Sequence, residues 1–180
     1  MILCTGNPDH VTVASAIKKK FPHAKFASRS TGFDLRFWDP NSEDIFRKEI
    51  HNYNIFINSS FICGGGQLAL LETTWDEWTK NNIKGHIINI GSTAEWMSVA
   101  SIPLDSVYGT YSIQKRSLRD RSLQLNNKKG IKTSHIIAGL LNDGKPENAN
   151  GLSLDSLANT VDWIIHHAEN IPLLEIQANN

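Results

Sequence analysis

Tyr111 and Lys115 stand four positions apart in a stretch with helical apolar spacing, so a phenol and an ammonium share one helix face. A free tyrosine loses its proton only near pH ~10. A close cation favours the phenolate and is expected to bring that exchange towards neutral pH, where the tyrosine can act as a general acid or base. The same pair also occurs on plain helix surfaces, so its weight depends on its company. Upstream, His86-Ile87-Ile88-Asn89-Ile90-Gly91 runs into Ser92, an apolar strand ending in a small hydroxyl. Ligands of open α/β sheets sit beyond such strand ends, where Ser92 can bond a carbonyl or hydroxyl; the plainer reading is a turn cap.

A second group of residues could hold an anion. The first apolar run passes through Thr5 and Gly6 into Asn7-Pro8-Asp9-His10-Val11-Thr12 and then an amphipathic stretch. Strand, glycine turn and helix start together direct backbone N–H groups and the positive helix end at a pyrophosphate. With one glycine, the turn is equally an ordinary strand-to-helix connection.

These groups need a scaffold. Apolar runs predict strands over 1–5, 24–28, 33–37, 54–58, 85–91, 132–138 and 172–177, and amphipathic stretches predict helices over 10–20, 42–51, 72–82, 108–127 and 154–168. Runs apolar on both faces imply helices above and below the sheet. The alternation gives a Rossmann-like three-layer α/β/α sandwich with a mostly parallel sheet of about seven strands, some helices trimmed. Thr74-Trp75-Asp76-Glu77 has the form of a capping box at a helix start. In the helix from 108, Tyr111, Lys115, Leu118, Ser122 and Leu125 share a stripe. Segment 142–150 reads as a surface loop near a site.

Composition narrows the function classes. The 180 residues fit one domain, with 40% apolar and 20% charged residues. Basic and acidic residues number 18 each, which gives no support for nucleic acid or an anionic membrane as partner. Two cysteines, Cys4 and Cys63, make no disulfide framework and suit a reducing compartment. The N-terminus lacks the form of a signal peptide, and no apolar run approaches the ~18–20 residues of a membrane span. The reading is a cytoplasmic protein. The seven histidines show no metal-ligand spacing, and His166-His167, being adjacent, point in different directions on a helix. Gly64-Gly65-Gly66 has no Lys-Ser/Thr after it and is read as a flexible loop, not a phosphate loop. Trp75 and Trp78 are read as core or interface, and Arg116, Arg119 and Arg121 as a solvated face or subunit contact.

In order along the chain, Thr5-Gly6, Asp34-Leu35, Asn58-Ser59-Ser60, the helix from Trp75 to Asn82, Asn89-Ile90-Gly91-Ser92, Tyr111-x-x-x-Lys115 and Ile136-Ile137-Ala138-Gly139 resemble the short-chain dehydrogenase/reductase family. The resemblance covers nearly the whole of an unusually short chain. It implies a catalytic set of Asn82, Ser92, Tyr111 and Lys115. Tyr111 is then the acid/base on the substrate oxygen, Ser92 orients that oxygen, Lys115 binds the nicotinamide ribose and lowers the Tyr111 pKa, and Asn82 holds a relay water. It implies cofactor contacts from Gly6, Asn7, His10, Val11, Arg29, Ser30, Asp34 (towards the adenine), Asn58, Tyr111, Lys115 and Gly139.

The second strand ends at Ala27-Ser28-Arg29-Ser30, without the acid usual in NAD-preferring members. The Arg29 fork suits a 2′-phosphate, so NADP(H) is expected over NAD(H). His10 and Thr12 stand where the family pattern has further glycines. The short stretch from Asn82 to Ser92 implies that much of the fourth helix is missing.

The expected function is therefore an NAD(P)-dependent oxidoreductase that interconverts a carbonyl and an alcohol on a small molecule, as a homodimer or homotetramer. Phe61, Leu68, Leu70, Trp96 and Leu140 are expected around the substrate. The rival is a non-catalytic NAD(P)-binding sensor or structural protein that kept the fold.

Overall fold

A computed structural model describes residues 1–34, 39–60, 66–97 and 106–178. In chain order, β1 is Ile2–Thr5, α1 Val13–Lys20, β2 Lys25–Ala27 and α2 Pro40–Ile50. There follow β3 Ile55–Asn58, α3 Gly66–Lys80, β4 His86–Ile90 and α4 Val107–Leu125. The chain continues through β5 Lys132–Ala138, β6 Leu141–Asn142, β7 Leu152–Ser153, α5 Leu154–His166 and β8 Leu173–Ile176.

Six strands form one parallel sheet in the order β2-β1-β3-β4-β5-β8, and β6 pairs with β7 in a two-stranded parallel patch. The expected seventh strand, over 33–37, is not in the sheet as far as it is described. Phe33 and Asp34 are irregular, and the remainder lies outside the described residues. Gly32 explains the break: its φ of 90° turns the chain after a short 3₁₀ turn, Arg29–Thr31.

Both sheet faces are covered, as the apolar runs require. On one face Phe46, Ile50, Leu70, Leu71, Trp78, Leu118 and Leu125 pack on Leu3, Phe56 and Ile87, which places α2, α3 and α4 together. On the other, Ala14, Ile17, Leu157, Val161 and Ile164 pack on Cys4, Ile57, Ile88 and Ile136, which places α1 and α5. Trp78 is fully buried, as expected of a core tryptophan.

Two expectations about α3 need correction. Thr74 and Glu77 do not open a helix; they lie within α3, which starts at Gly66. Glu77 instead accepts from Arg47 of α2 at 2.7 Å and pairs with His51 at 2.6 Å, tying α2 to α3. Nor is the helix before β4 missing. It runs for 15 residues, because Gly66-Gln67-Leu68-Ala69 is its first turn. A glycine triplet had made that turn look like loop.

Polar residues inside the sheet find partners. Thr133 Oγ1 of β5 donates to the Ser122 carbonyl of α4 at 2.6 Å, and Ser134 Oγ donates to the Ile171 carbonyl at 2.5 Å. Asn58 of β3 donates to Asn89 Oδ1 of β4 at 2.9 Å, and Asn89 donates to Ser122 at 3.2 Å. His135 of β5 lies against the backbone of Gly91. A Cβ there would fall 2.2 Å from His135 Nε2 and 3.0 Å from the Ile136 carbonyl. Gly91→Ala is therefore expected to destabilise the fold by about 1–3 kcal/mol in urea unfolding, through overpacking. Unchanged stability would contradict this packing.

Candidate active site

The strand ends set the geometry. From β1 the chain goes to one side as β2 and then crosses back to the other side as β3. The crevice beyond the carboxyl ends of β1 and β3 is thus the switch point of the sheet. Gly6 turns there with a φ of 122°, and its N–H donates to the Ala27 carbonyl at 3.0 Å. A Cβ at Gly6 would meet Ala14 Cβ and Ser60 Oγ at 3.0 Å, so this turn requires glycine. The N–H groups of Ser59 and Ser60 donate to Thr5 Oγ1 at 2.9 and 3.0 Å, fastening the end of β3 to the end of β1. Gly6, Asn7, Val11, Thr12, Ser59 and Ser60 line a cavity of about 370 Å³ at the N-terminus of α1.

A second cavity, of about 530 Å³, lies beyond β4 and β5 and is lined by Ser92, Tyr108, Tyr111, Gly139, Leu140 and Asn148 among others. Leu141 and Asp143 line both spaces, so the two adjoin beneath the segment after β5. A hydrogen bond from Asn148, then Lys145, holds the Asp143 carboxyl down at about 2. Lys145 Nζ lies 3.0 Å from it.

Ser92 and Tyr111 meet in the second cavity, where Ser92 is close enough to bear on the Tyr111 phenol. Ser92 comes from the end of β4 and opens a 3₁₀ turn, Thr93–Trp96, by accepting the Ala94 N–H at 3.2 Å. Tyr111 comes from the first turns of α4, capped by Ser106, which accepts the Gly109 N–H at 3.0 Å. Ser112 Oγ donates to the Ala94 carbonyl at 2.8 Å, and Arg116 donates to the Glu95 carbonyl at 3.0 Å. The helix and the turn are thereby one unit. Lys115, one turn below Tyr111, is buried, with Nζ 5.5 Å from the Tyr111 ring centroid. Its ammonium donates to the Ile90 carbonyl and to Gln67 Oε1, both at 2.7 Å.

The titrations run against the expectation from the sequence. Burial raises the Tyr111 pKa; the Ser92 hydrogen bond lowers it, and the Glu95 carboxylate raises it further. Burial also pushes the Lys115 ammonium down to about 7, with Glu95 opposing. The expected lowering of the phenol by Lys115 is thus overturned. Desolvation of both groups outweighs their attraction, because Nζ is turned inward to Gln67 and Ile90.

No protein-family model matches this sequence, and no curated protein matches it. Solved structures do resemble it. The 3-alpha-hydroxysteroid dehydrogenase from Pseudomonas sp. B-0831, complexed with NADH, is 9% identical, with a TM-score of 0.69 over 98% of this chain and 95% of its own. A 4-hydroxyisoleucine dehydrogenase, complexed with NADH and succinate, is 15% identical, with a TM-score of 0.72 over 98% and 97%. A short chain dehydrogenase from Burkholderia cenocepacia J2315, in complex with NADP, is 9% identical, with a TM-score of 0.67 over 97% and 87%. The chain has the short-chain dehydrogenase fold.

Within that fold, Ser92 and Tyr111 come together with Gly139 on the cavity wall, whereas Lys115 is buried behind Tyr111 and lines neither cavity. Gly6, Asn7 and Val11 gather at the first cavity. Arg29 and Ser30 follow β2 at the same edge of the sheet. Asn82 does not join them. It sits exposed in the turn after α3, with φ 55°, before the amino end of β4 and so at the opposite edge of the sheet. Asn58 is fully buried and braces α3, donating to the Gln67 carbonyl at 2.8 Å, and does not line either cavity. His10 is exposed and is not among the residues lining the first cavity. Asp34 borders a crevice with Ser42 and Ile45 beside α2, apart from both cavities.

Of the expected substrate contacts, Leu140 lines the second cavity, whereas Leu70 is in the core and Leu68 packs against it. Trp96 lies under the Arg119 guanidinium at 4.8 Å, and Phe61 is outside the described residues, as are Cys63, Gly64 and Gly65. Arg116 is not merely solvated, since it clamps the turn after Ser92. The sequence reading quotes Thr5, Ser59 and Ser60 within motifs without giving them a role, and misses Gln67, whose side chain also donates to the Asn58 carbonyl at 2.8 Å. Nothing in a lone glutamine after three glycines singles it out.

The lowered Lys115 pKa has a consequence for stability. Between about pH 7 and the ordinary 10.5 the unfolded chain binds a proton that the folded chain does not. Stability contributed by this group therefore grows as pH rises through that window. Lys115→Met is expected to flatten the slope of unfolding free energy against pH between 7 and 10.5. An unchanged slope would contradict the burial of a titrating amine.

Proposed function

We propose that this protein is an NAD(P)-dependent oxidoreductase that interconverts a carbonyl and an alcohol on a small molecule. The observation that carries the reading is the meeting of Ser92 and Tyr111 on the wall of one cavity, which adjoins the glycine turn at the start of α1. The turn fits a dinucleotide: Gly6 leaves room that a Cβ would fill, and the first turn of α1 lines the cavity with the positive end of its helix. Gly6, Asn7, Val11, Ser59 and Ser60 would hold the pyrophosphate side, and Gly139 the wall of the nicotinamide side. Bound there, the nicotinamide supplies or takes the hydride.

The chain's own part is proton and position. Ser92 donates to the substrate oxygen and orients it. Tyr111 passes its proton to that oxygen during reduction and recovers it during oxidation. A raised phenol pKa keeps Tyr111 protonated at neutral pH, which suits reduction of a ketone or aldehyde. Lys115 places its charge behind the Tyr111 ring. Asn82, at the far edge of the sheet, has no part in this scheme, and Gln67 is the residue that meets Lys115.

Arg29, in the turn after β2, supports NADP(H) over NAD(H) through a guanidinium near the adenosine ribose. The apolar Ile113 and Leu123, exposed on α4, support a homo-oligomer. Among the described residues no helix is long and apolar enough to cross a membrane, and the reading remains a cytoplasmic enzyme.

Tyr111→Phe is expected to cut turnover at least about 10²-fold in a carbonyl-reduction assay while nucleotide binding persists. Unchanged turnover would defeat the assignment; nucleotide binding by the parent with no turnover on any carbonyl would favour the sensor. Arg29→Ala is expected to weaken NADPH binding about tenfold or more in a fluorescence titration and to leave NADH unchanged. Equal losses for both would contradict a 2′-phosphate contact.

A further inference from the structure

Behind the strand end that carries Ser92, two ionisable side chains meet out of water, and the scheme above uses neither. Glu95 is 1% exposed and His135 is 0% exposed, with His135 Nε2 3.2 Å from Glu95 Oε2. Glu95 Oε1 and His135 Nδ1 have no hydrogen-bond partner among the described residues. Backbone bonds join this pair to Ser92. The Glu95 N–H donates to the Ser92 carbonyl at 3.0 Å, and the Ala94 N–H donates to Ser92 Oγ at 3.2 Å. On the other side of Ser92, the Gly91 N–H donates to the Ile136 carbonyl of β5 at 2.7 Å. The contact between Glu95 and His135 thus closes a circuit from the turn, through Ser92 and Gly91, to Ile136 and back to His135.

Stability alone does not account for the pair. A buried carboxylate is costly unless hydrogen bonds compensate, and here one oxygen and one ring nitrogen have none. Apolar side chains of the same size would fill the space at lower cost and would accept many registers. A hydrogen bond fixes distance and direction. What this one fixes is the turn Thr93–Trp96, which Ser92 caps. Ser112 and Arg116 tie that turn to α4, the helix of Tyr111. Glu95 and His135 tie it to β5, whose end leads into Gly139 and Leu140 on the cavity wall.

We propose that the buried Glu95–His135 pair positions Ser92, fixing the place of its hydroxyl in the second cavity relative to β5. Neither side chain touches the reacting atoms, so both are positioning residues. Lys115 and Arg119 act on His135 from the α4 side. Whichever cation balances the carboxylate, the contact that locates the turn is the one with His135. The inference takes its meaning from the reading of Ser92 as the donor to the substrate oxygen, but the first measurement below does not depend on that reading.

Glu95→Met and His135→Leu remove the contact with little change of volume, and Glu95→Gln keeps a hydrogen bond to His135 without the charge. The first measurement is ¹⁹F NMR of fluorotryptophan-labelled protein without nucleotide, Trp96 being assigned by its loss in Trp96→Phe. Trp96 ends the turn, so its signal is expected to shift or broaden in Glu95→Met and in His135→Leu and to stay at the parent position in Glu95→Gln. If Glu95→Met does not fold, His135→Leu reads the same contact from β5. A Trp96 signal unmoved by loss of the contact would overturn the proposal. An equal change in Glu95→Gln would overturn it too, since charge and not contact would then decide. The second measurement is carbonyl reduction. Glu95→Met is expected to lower kcat about tenfold alone and less than about twofold in the Ser92→Ala background, because its effect passes through Ser92. Equal losses in both backgrounds, as a merely structural role would give, contradict the assignment. Full turnover by Ser92→Ala would defeat the reading of Ser92, and the Trp96 signal would still decide whether the pair holds the turn.

Discussion

The buried ammonium of Lys115 is the constraint on which the site depends. Its bonds to the Ile90 carbonyl and to Gln67 join the last residue of β4, the first turn of α3 and the third turn of α4 at one point. An amine left unpaired inside the protein costs far more than its hydrogen bonds return, so these three elements hold a common register. Tyr111 stands one turn above the amine, and Ser92 two residues beyond Ile90. Their meeting follows from the same register. Thr133 and Asn89, both bonded to Ser122, repeat the arrangement lower on α4.

The two cavities differ in character. Around Gly6 the wall is backbone and small hydroxyls, with the start of α1 pointing in, which suits an anion. Around Tyr111 it is largely apolar, with Tyr108, Leu140 and Leu141 beside the Ser92 and Tyr111 hydroxyls. Asp143 stands at the join, and its charge is offset by Lys145 rather than left to face a phosphate.

Much of this was legible from residue order. Apolar runs gave the parallel sheet, and the stripe Lys115, Leu118, Ser122, Leu125 is the buried face of α4. Ser92, Tyr111 and Gly6 were found because their neighbours in sequence fix where a strand stops and a helix starts. The failures have one physical source. Gly66 and Gln67 belong to a helix whose first turn has no periodic apolar signal, so the helix was read six residues late. Asn82 was then placed in a site that lies at the other edge of the sheet. The direction of the Tyr111 pKa was missed for a related reason: spacing shows that an amine is near, not that it is desolvated and turned away.

The central claim is that one dinucleotide bridges both cavities with its nicotinamide beside Tyr111. A crystal structure of the protein soaked with NADPH tests it most directly. The account predicts a pyrophosphate on the Gly6 turn and a nicotinamide ring between Tyr111 and Gly139, within reach of the Ser92–Tyr111 pair. Nucleotide bound elsewhere, or a nicotinamide on the far side of Asp143 from those hydroxyls, would contradict it.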